Sequence, residues 1–249
     1  MPPVPLLFDS RASDSPWVDT VWTCRSPRVT RMTSVATATL GLVFWEQDGR
    51  HSAGITGPES GTGTAPVPEG ASFVGIQFAV GVSLRSLATP ALVDHGIELP
   101  DVTRRTFRLG GGRWETVAPD DAEALVGRLA RAGVIARDPL VAAALHDGHR
   151  PAVSQRTLER RFRAATGLTR GAVRQIGRAR AAASLLASGA AVDTAVVDLG
   201  YYDEPHLARA LRRYVGRTPG QLREGRGGPL ALDPAHRTTS YTSLATPLA

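Results

Sequence analysis

The stretch from Leu199 to Arg223 reads LGYYDEPHLARALRRYVGRTPGQLR, and its helix starts and stops decide the fold of the C-terminal third. Asp203 can cap a helix whose apolar side chains recur at helical spacing until Gly216. Thr218 followed by proline predicts a further, short helix. With the short helix expected from Thr194 to Leu199, the segment predicts two helices joined by a turn at Gly200, which is the helix-turn-helix plan.

A similar plan occurs upstream, where a helix from Pro139 to His146 precedes a helix from Gln155 to Thr166 across a longer connection. Between the two units, Thr169 can cap a helix of roughly 18 residues, which would be about 27 Å long. Adjacent major grooves on one face of DNA lie about 34 Å apart. A connector of this length, together with its flanking turns, could therefore place both second helices in successive grooves.

Basic charge is concentrated in the same region. Residues 137–226 contain 16 Arg and 8 acidic residues, whereas the whole chain has 29 basic and 23 acidic residues and a net charge of +6, so the remainder is slightly acidic. Arg neutralises phosphates and presents a planar fork to guanine, and its clustering favours a DNA-binding domain over a merely solvated face.

The N-terminal half has the alternation and turn residues of β-strands, with strands expected at 29–33, 35–40, 42–45 and 73–80. A helix should begin at Pro119 and end at Gly133. The predicted organisation is a flexible N-terminus (1–18), a β-rich sensor-like domain (19–118), a linker helix (119–136), a helix-turn-helix domain (137–225) and a disordered tail (226–249).

The C-terminal stretch quoted above, and the stretch from Ser154 to Thr169, resemble the two recognition segments of AraC/XylS-type transcription regulators. More weakly, the stretch from Gly70 to Phe78 resembles the small β-rich sensor domain found in one branch of that family. The resemblance implies an α+β fold: a cupin-like domain or small barrel or sandwich, followed by an all-α domain of two helix-turn-helix units. It implies double-stranded promoter DNA as the partner, with a small effector, RNA polymerase and a second copy as further candidates.

The resemblance also assigns roles to individual residues. Arg forks suit guanine, Glu can accept from cytosine, and Pro205 departs from the family because it has no polar side chain. The base-reading positions are Gln155, Arg156, Glu159, Arg160, Glu204, Pro205, His206 and Arg209. The phosphate contacts are Arg163, Arg212, Arg213 and Arg217.

The role of the N-terminal half is left open by the sequence. An effector pocket would be lined by Trp22, Trp45, Val74, Ile76 and Phe78, whereas the alternative is that these side chains simply fill the core. If they fill the core, the domain would be a ligand-free interaction or dimerisation domain. A third hypothesis is that the chain is an enzyme tethered to DNA.

Catalytic and metal sites are not indicated. Gly110 to Gly112 lacks the spacing of a phosphate loop, Cys24 has no cysteine partner, and the histidines lack ligand spacing, so no cofactor is expected. The single cysteine, together with the lack of a secretory leader and of a long apolar run, predicts a cytoplasmic protein without membrane spans.

Overall fold

The computed structural model describes residues 7–27, 30–145 and 152–226. The strands in this part are β1 (Leu7–Ala12), β2 (Val18–Ser26), β3 (Thr30–Thr33), β4 (Gly41–Gln47), β5 (Arg50–Thr56), β6 (Thr64–Val67), β7 (Ala71–Phe78), β8 (Val82–Leu84), β9 (Gly96–Glu98), β10 (Thr106–Leu109), β11 (Gly112–Glu115) and β12 (Ile135–Arg137). The α-helices are α1 (Ala122–Arg131), α2 (Pro139–Ala143), α3 (Gln155–Thr166), α4 (Arg170–Ala187), α5 (Val192–Asp198), α6 (Glu204–Tyr214) and α7 (Pro219–Arg223). Strands thus dominate the N-terminal half and helices the C-terminal third, which confirms the α+β class.

The main sheet has the strand order β1-β2-β7-β4-β5-β9, and each neighbouring pair is antiparallel. Because side chains alternate along a strand, one face carries Val21, Leu42, Ile55 and Ile76. These four side chains are buried in the core of the strand-rich half. The side chains of the other face, such as Trp22 and Trp45, are only partly buried.

The segment expected to be a linker helix contributes to this core. The helix is present as α1, but Leu125, Val126 and Leu129 are fully buried against the sheet. The chain then continues into β12, which pairs with β8. Residues 119–136 are therefore part of the strand-rich half, because the apolar stripe of α1 is what covers the sheet.

Part of the segment expected to be a flexible N-terminus, residues 1–18, forms a strand in the structure. β1 forms an edge strand on β2 from Leu7 to Ala12. Arg11 also donates to both carboxylate oxygens of Glu123 on α1, at 2.6 and 2.9 Å. Backbone pairing holds β1 to β2, and the two hydrogen bonds from Arg11 hold it to α1. The predicted tail lies outside the described residues except for Arg226.

The strand expected at 35–40 does not form. Val35, Ala36 and Ala38 instead pack into the core of the helical domain. The amide of Ala36 donates to the carbonyl of Tyr214, so this backbone is satisfied by a helix end rather than by a neighbouring strand. The two halves of the chain consequently share one apolar cluster.

Side-chain caps fix most of the helix starts in the C-terminal domain. Ser154, Thr169 and Asp203 each accept a hydrogen bond from an amide in the first turn of their helices. Thr218 forms a capping box with Gln221. These starts confirm the sequence interpretation, but the helix expected from Thr194 begins earlier, at Val192, so that Asp193 lies within its first turn rather than capping it.

The helix α4 forms the centre of the helical core. Its buried stripe includes Val173, Ile176, Ala179 and Leu186, and it contacts α3, α5, α6 and α7. The predicted extension of the first helix to His146, and the connection that follows it, lie outside the described residues. No described helix is both long and apolar enough to cross a membrane.

Candidate nucleic-acid interface and ligand cavity

One exposed side of α3 carries the first set of predicted base-reading residues. Gln155, Arg156 and Arg160 are exposed, and Glu159 is half-buried. On the opposite side, Leu158 and Phe162 are buried in the domain core, as their helical spacing predicts. The arrangement leaves Arg156 and Arg160 accessible to solvent, with Glu159 partly covered between them.

The neighbouring Arg161 has a different setting. Its Nη1 lies 3.1 Å from Oδ2 of Asp138, the residue whose side chain caps α2. This ion pair fastens α3 to the start of α2 and directs Arg161 away from Arg160. Arg163 is exposed one turn beyond Arg160, where a phosphate contact is sterically open.

The start of α6 presents the second set. Glu204, Pro205 and Arg209 are exposed. Proline at this position costs no hydrogen bond, because the first amides of a helix have no partner within it. His206 is half-buried, and its Nδ1 accepts from the amide of Tyr202 at 3.3 Å, so this ring shapes the turn before the helix.

The predicted phosphate contacts divide into two groups. Arg212 and Arg213 are exposed, and the guanidinium of Arg213 lies 5.1 Å above the ring of Tyr214. Arg217 is only 7% exposed, and burial lowers the pKa of its guanidinium. The chain reverses at Gly216, with φ of 73°, and Arg217 comes to lie within the domain. The phosphate contact of Arg217 stays a prediction, and its burial leaves little of the side chain accessible to DNA.

The sequence interpretation missed Tyr202, whose side chain is 90% exposed just before α6. Its neighbour Tyr201 is buried beneath the guanidinium of Arg178, 4.4 Å from the ring centre, and burial raises the pKa of Tyr201 to about 12. Two adjacent tyrosines cannot both point inward at a tight turn, and this constraint could have identified Tyr202 as an outward residue beside the base-reading positions.

A cavity of about 370 Å³ lies over the face of the main sheet that carries Trp22 and Trp45. The pairing register places Trp22 opposite Gly75, and a Cβ atom at Gly75 would overlap the indole. The residues that line the cavity are Phe8, Ser10, Thr20, Trp22, Cys24, Met32, Ser34, Val35, Thr37, Val43, Trp45, Thr56, Gly57, Glu59, Val67, Pro68, Phe73, Gln77 and Arg180.

Of the five residues predicted for an effector pocket, Trp22 and Trp45 line this cavity. Ile76 and Phe78 do not, because they lie on the opposite face of β7 in the main core. Val74 shares that face and borders a separate cavity of about 200 Å³. The prediction correctly grouped Val74, Ile76 and Phe78 on one face of β7. That face, however, is directed away from the cavity, which is lined by the opposite face of the strand. Gly75, which lies opposite Trp22 and leaves room for its indole, is the residue that distinguishes the two faces of β7 in the sequence.

Two charged side chains lie at one end of the cavity. Glu59 is held beside Ser34, and burial raises the pKa of its carboxyl above the ordinary range. Arg180 comes from α4, and its Nη1 donates to the carbonyl oxygen of Ala36 at 3.4 Å. The helix α4 therefore forms part of the cavity wall.

Comparison with known proteins identifies the helical part of the chain. A family model described as a helix-turn-helix domain matches residues 149–225, a range that contains α3 to α7. No curated protein and no solved structure matches the chain.

Proposed function

We propose that the chain is a transcription regulator of the AraC/XylS type, and that its helix-turn-helix domain, which a family model matches at residues 149–225, reads two successive major grooves. The observation that carries this proposal is the exposure of Arg156 and Arg160 on α3 and of Arg209 on α6. The connector α4 has 18 residues, hence a length of about 27 Å, which with its flanking turns suits the groove repeat of about 34 Å.

Each exposed residue has a defined task in this proposal. Arg156, Arg160 and Arg209 suit the O6 and N7 atoms of guanine, and Glu204 suits the amino group of cytosine, at about 1–3 kcal/mol of discrimination each. Pro205 offers an apolar contact to a thymine methyl group. Arg163, Arg212 and Arg213 would hold the backbone and fix the register of both helices.

The strand-rich half would regulate this activity through a bound effector. The partly open cavity supports this role, since small-molecule sites are concave, mostly apolar and furnished with a few polar groups. A ligand-free docking or dimerisation role would leave the cavity unexplained.

Selection of bound sequences from random DNA by the purified full-length chain tests the DNA-binding proposal. We expect a two-part motif whose halves are about 10.5 base pairs apart, centre to centre, because one polypeptide carries both recognition helices. Enrichment of a single short half-site, or no enrichment above the starting pool, would contradict it.

A further inference from the structure

The cavity has walls from both halves of the chain. Trp22, Val43 and Trp45 project from the sheet, whereas Arg180 projects from α4. Because α4 is also central to the helical core, a molecule in the cavity lies beside the helix that joins the two DNA-reading units.

Aromatic side chains contribute much of the cavity wall that comes from the sheet. The indole of Trp22 lies over Gly75, and the ring of Trp45 lies within about 3.5 Å of the position that a Cβ atom of Gly54 would occupy. Phe8 stacks with Trp22 at a centroid distance of 5.7 Å. Ring faces of this kind favour a planar ligand, because offset stacking on an aromatic surface contributes beyond simple burial.

The polar end of the cavity carries one carboxyl and one guanidinium, those of Glu59 and Arg180. Their formal charges oppose each other, so a charged ligand group that pairs with one of them would face repulsion from the other. An uncharged hydroxyl can donate to the carboxylate and accept from the guanidinium without adding a buried charge. We infer that the cavity binds an uncharged, planar aromatic molecule whose hydroxyl group meets Glu59 and Arg180, and that binding is coupled to the DNA-binding helices through α4.

A short chain of contacts leads from this site to the second recognition helix. Arg180 donates to the carbonyl of Ala36, and the amide of Ala36 donates to the carbonyl of Tyr214, the last residue of α6. A ligand that accepts from Arg180 competes with the first of these bonds, so ligand binding is energetically linked to the contact that Ala36 makes with the end of α6. This part of the inference rests on the proposed function.

The ligand class is tested by titrating the full-length chain calorimetrically with three probes that share one ring system. These are 2-naphthol, 2-naphthoate and 2-naphthylmethylammonium, which are neutral, anionic and cationic at pH 7. We expect 2-naphthol to bind about tenfold more tightly than either ion, because only the ions leave a buried charge unbalanced. Equal affinities, or tighter binding of an ion, would overturn the assignment.

Variants locate the site. Val43→Phe fills the cavity from the sheet and should abolish binding, whereas the matched Val74→Phe, on the opposite face of the same sheet, should leave it unchanged. Glu59→Gln keeps the shape and removes the negative charge, so the preference should move towards 2-naphthoate. Unchanged binding by Val43→Phe would overturn the proposal, and so would an unchanged order of the three probe affinities in Glu59→Gln. The two variants are independent tests, so one of them suffices if the other fails to fold.

Coupling is measured as the affinity for a selected operator with and without saturating 2-naphthol. We expect a change of about fivefold or more, and by reciprocity the same change in 2-naphthol affinity when the operator is bound. Unchanged operator affinity would overturn the coupling. Failure of the ligand-free chain to select any operator would instead overturn the proposed function, while the calorimetric result on the cavity would stand.

Discussion

The amide of Ala36 donates a 2.8 Å hydrogen bond to the carbonyl oxygen of Tyr214, the last residue of α6. The amide of Thr62 likewise donates a 2.8 Å hydrogen bond to the carbonyl oxygen of Arg213. Carbonyls in the last turn of a helix lack donors within that helix, so the strand-rich half completes the end of α6. The position of α6 is consequently tied to the loops of the other half.

Gly216→Ala should disturb this junction more than a glycine substitution at an open helix end. Gly216 has φ of 73°, and an added Cβ would lie 2.7 Å from Cγ2 of Thr33. Gly133 has φ of 71° with nothing within 4 Å, so Gly133→Ala is a matched control for backbone strain alone. We expect a loss of about 1 kcal/mol in the control and of about 1–3 kcal/mol more in Gly216→Ala, measured by urea unfolding. Equal losses of unfolding free energy in the two variants would contradict the prediction, because they would show that Thr33 moves aside at no cost.

Arg160→Ala and Arg209→Ala should weaken binding to the selected operator by about 1–3 kcal/mol and leave binding to unrelated DNA nearly unchanged. The reason is that an arginine fork to guanine contributes only where guanine is present. Arg161→Ala is the control, because Arg161 is paired with Asp138. Competition binding assays with operator and random duplexes measure the difference. Equal loss on both duplexes would remove the base-reading assignment.

Arg212→Ala should flatten the salt dependence of DNA binding. A phosphate contact releases about one counterion, so the slope of log K against log salt should fall by about one unit. Arg108→Ala provides the control, since Arg108 lies in the strand-rich half and pairs with Asp101 at 3.0 Å. Titrations at several salt concentrations give both slopes, and an unchanged slope for Arg212→Ala would count against its phosphate contact.

The Arg11–Glu123 pair should make the free energy of unfolding depend on pH in the acid range. The hydrogen bond from Arg11 lowers the pKa of Glu123 from 4.5 to about 2, so the folded chain binds this proton less readily than the unfolded chain. The pair therefore stabilises the fold fully above pH 4.5, and this contribution is lost as the pH falls towards 2. We expect the stability difference between wild type and Glu123→Gln to shrink between pH 6 and pH 3 in urea unfolding. A constant difference would contradict the assigned cause.

Local chemistry explains what the sequence revealed. A cap such as Ser154 or Asp203 acts within one turn, so its partner amide is fixed by sequence spacing alone. The outward arginines follow from the same helical period. The helix-turn-helix plan and its exposed faces were therefore predictable.

Tertiary contacts explain what the sequence did not reveal. The alternation around Ala36 resembles a strand, but its backbone pairs with a helix end from residues far along the chain. The face of Ile76 became the core because α1 covers it, and nothing within β7 distinguishes its two faces except Gly75. Arg217 is inward because the turn at Gly216 directs the chain back into the domain.

Guanine-methylation interference on the selected operator tests the central claim most directly. We expect two clusters of sensitive guanines about 10.5 base pairs apart on one face of the duplex, with Arg160→Ala removing the sensitivity of a guanine in one cluster and Arg209→Ala that of a guanine in the other. A single cluster, or an interference pattern that neither variant changes, would contradict the assignment of α3 and α6 as the two DNA-reading helices.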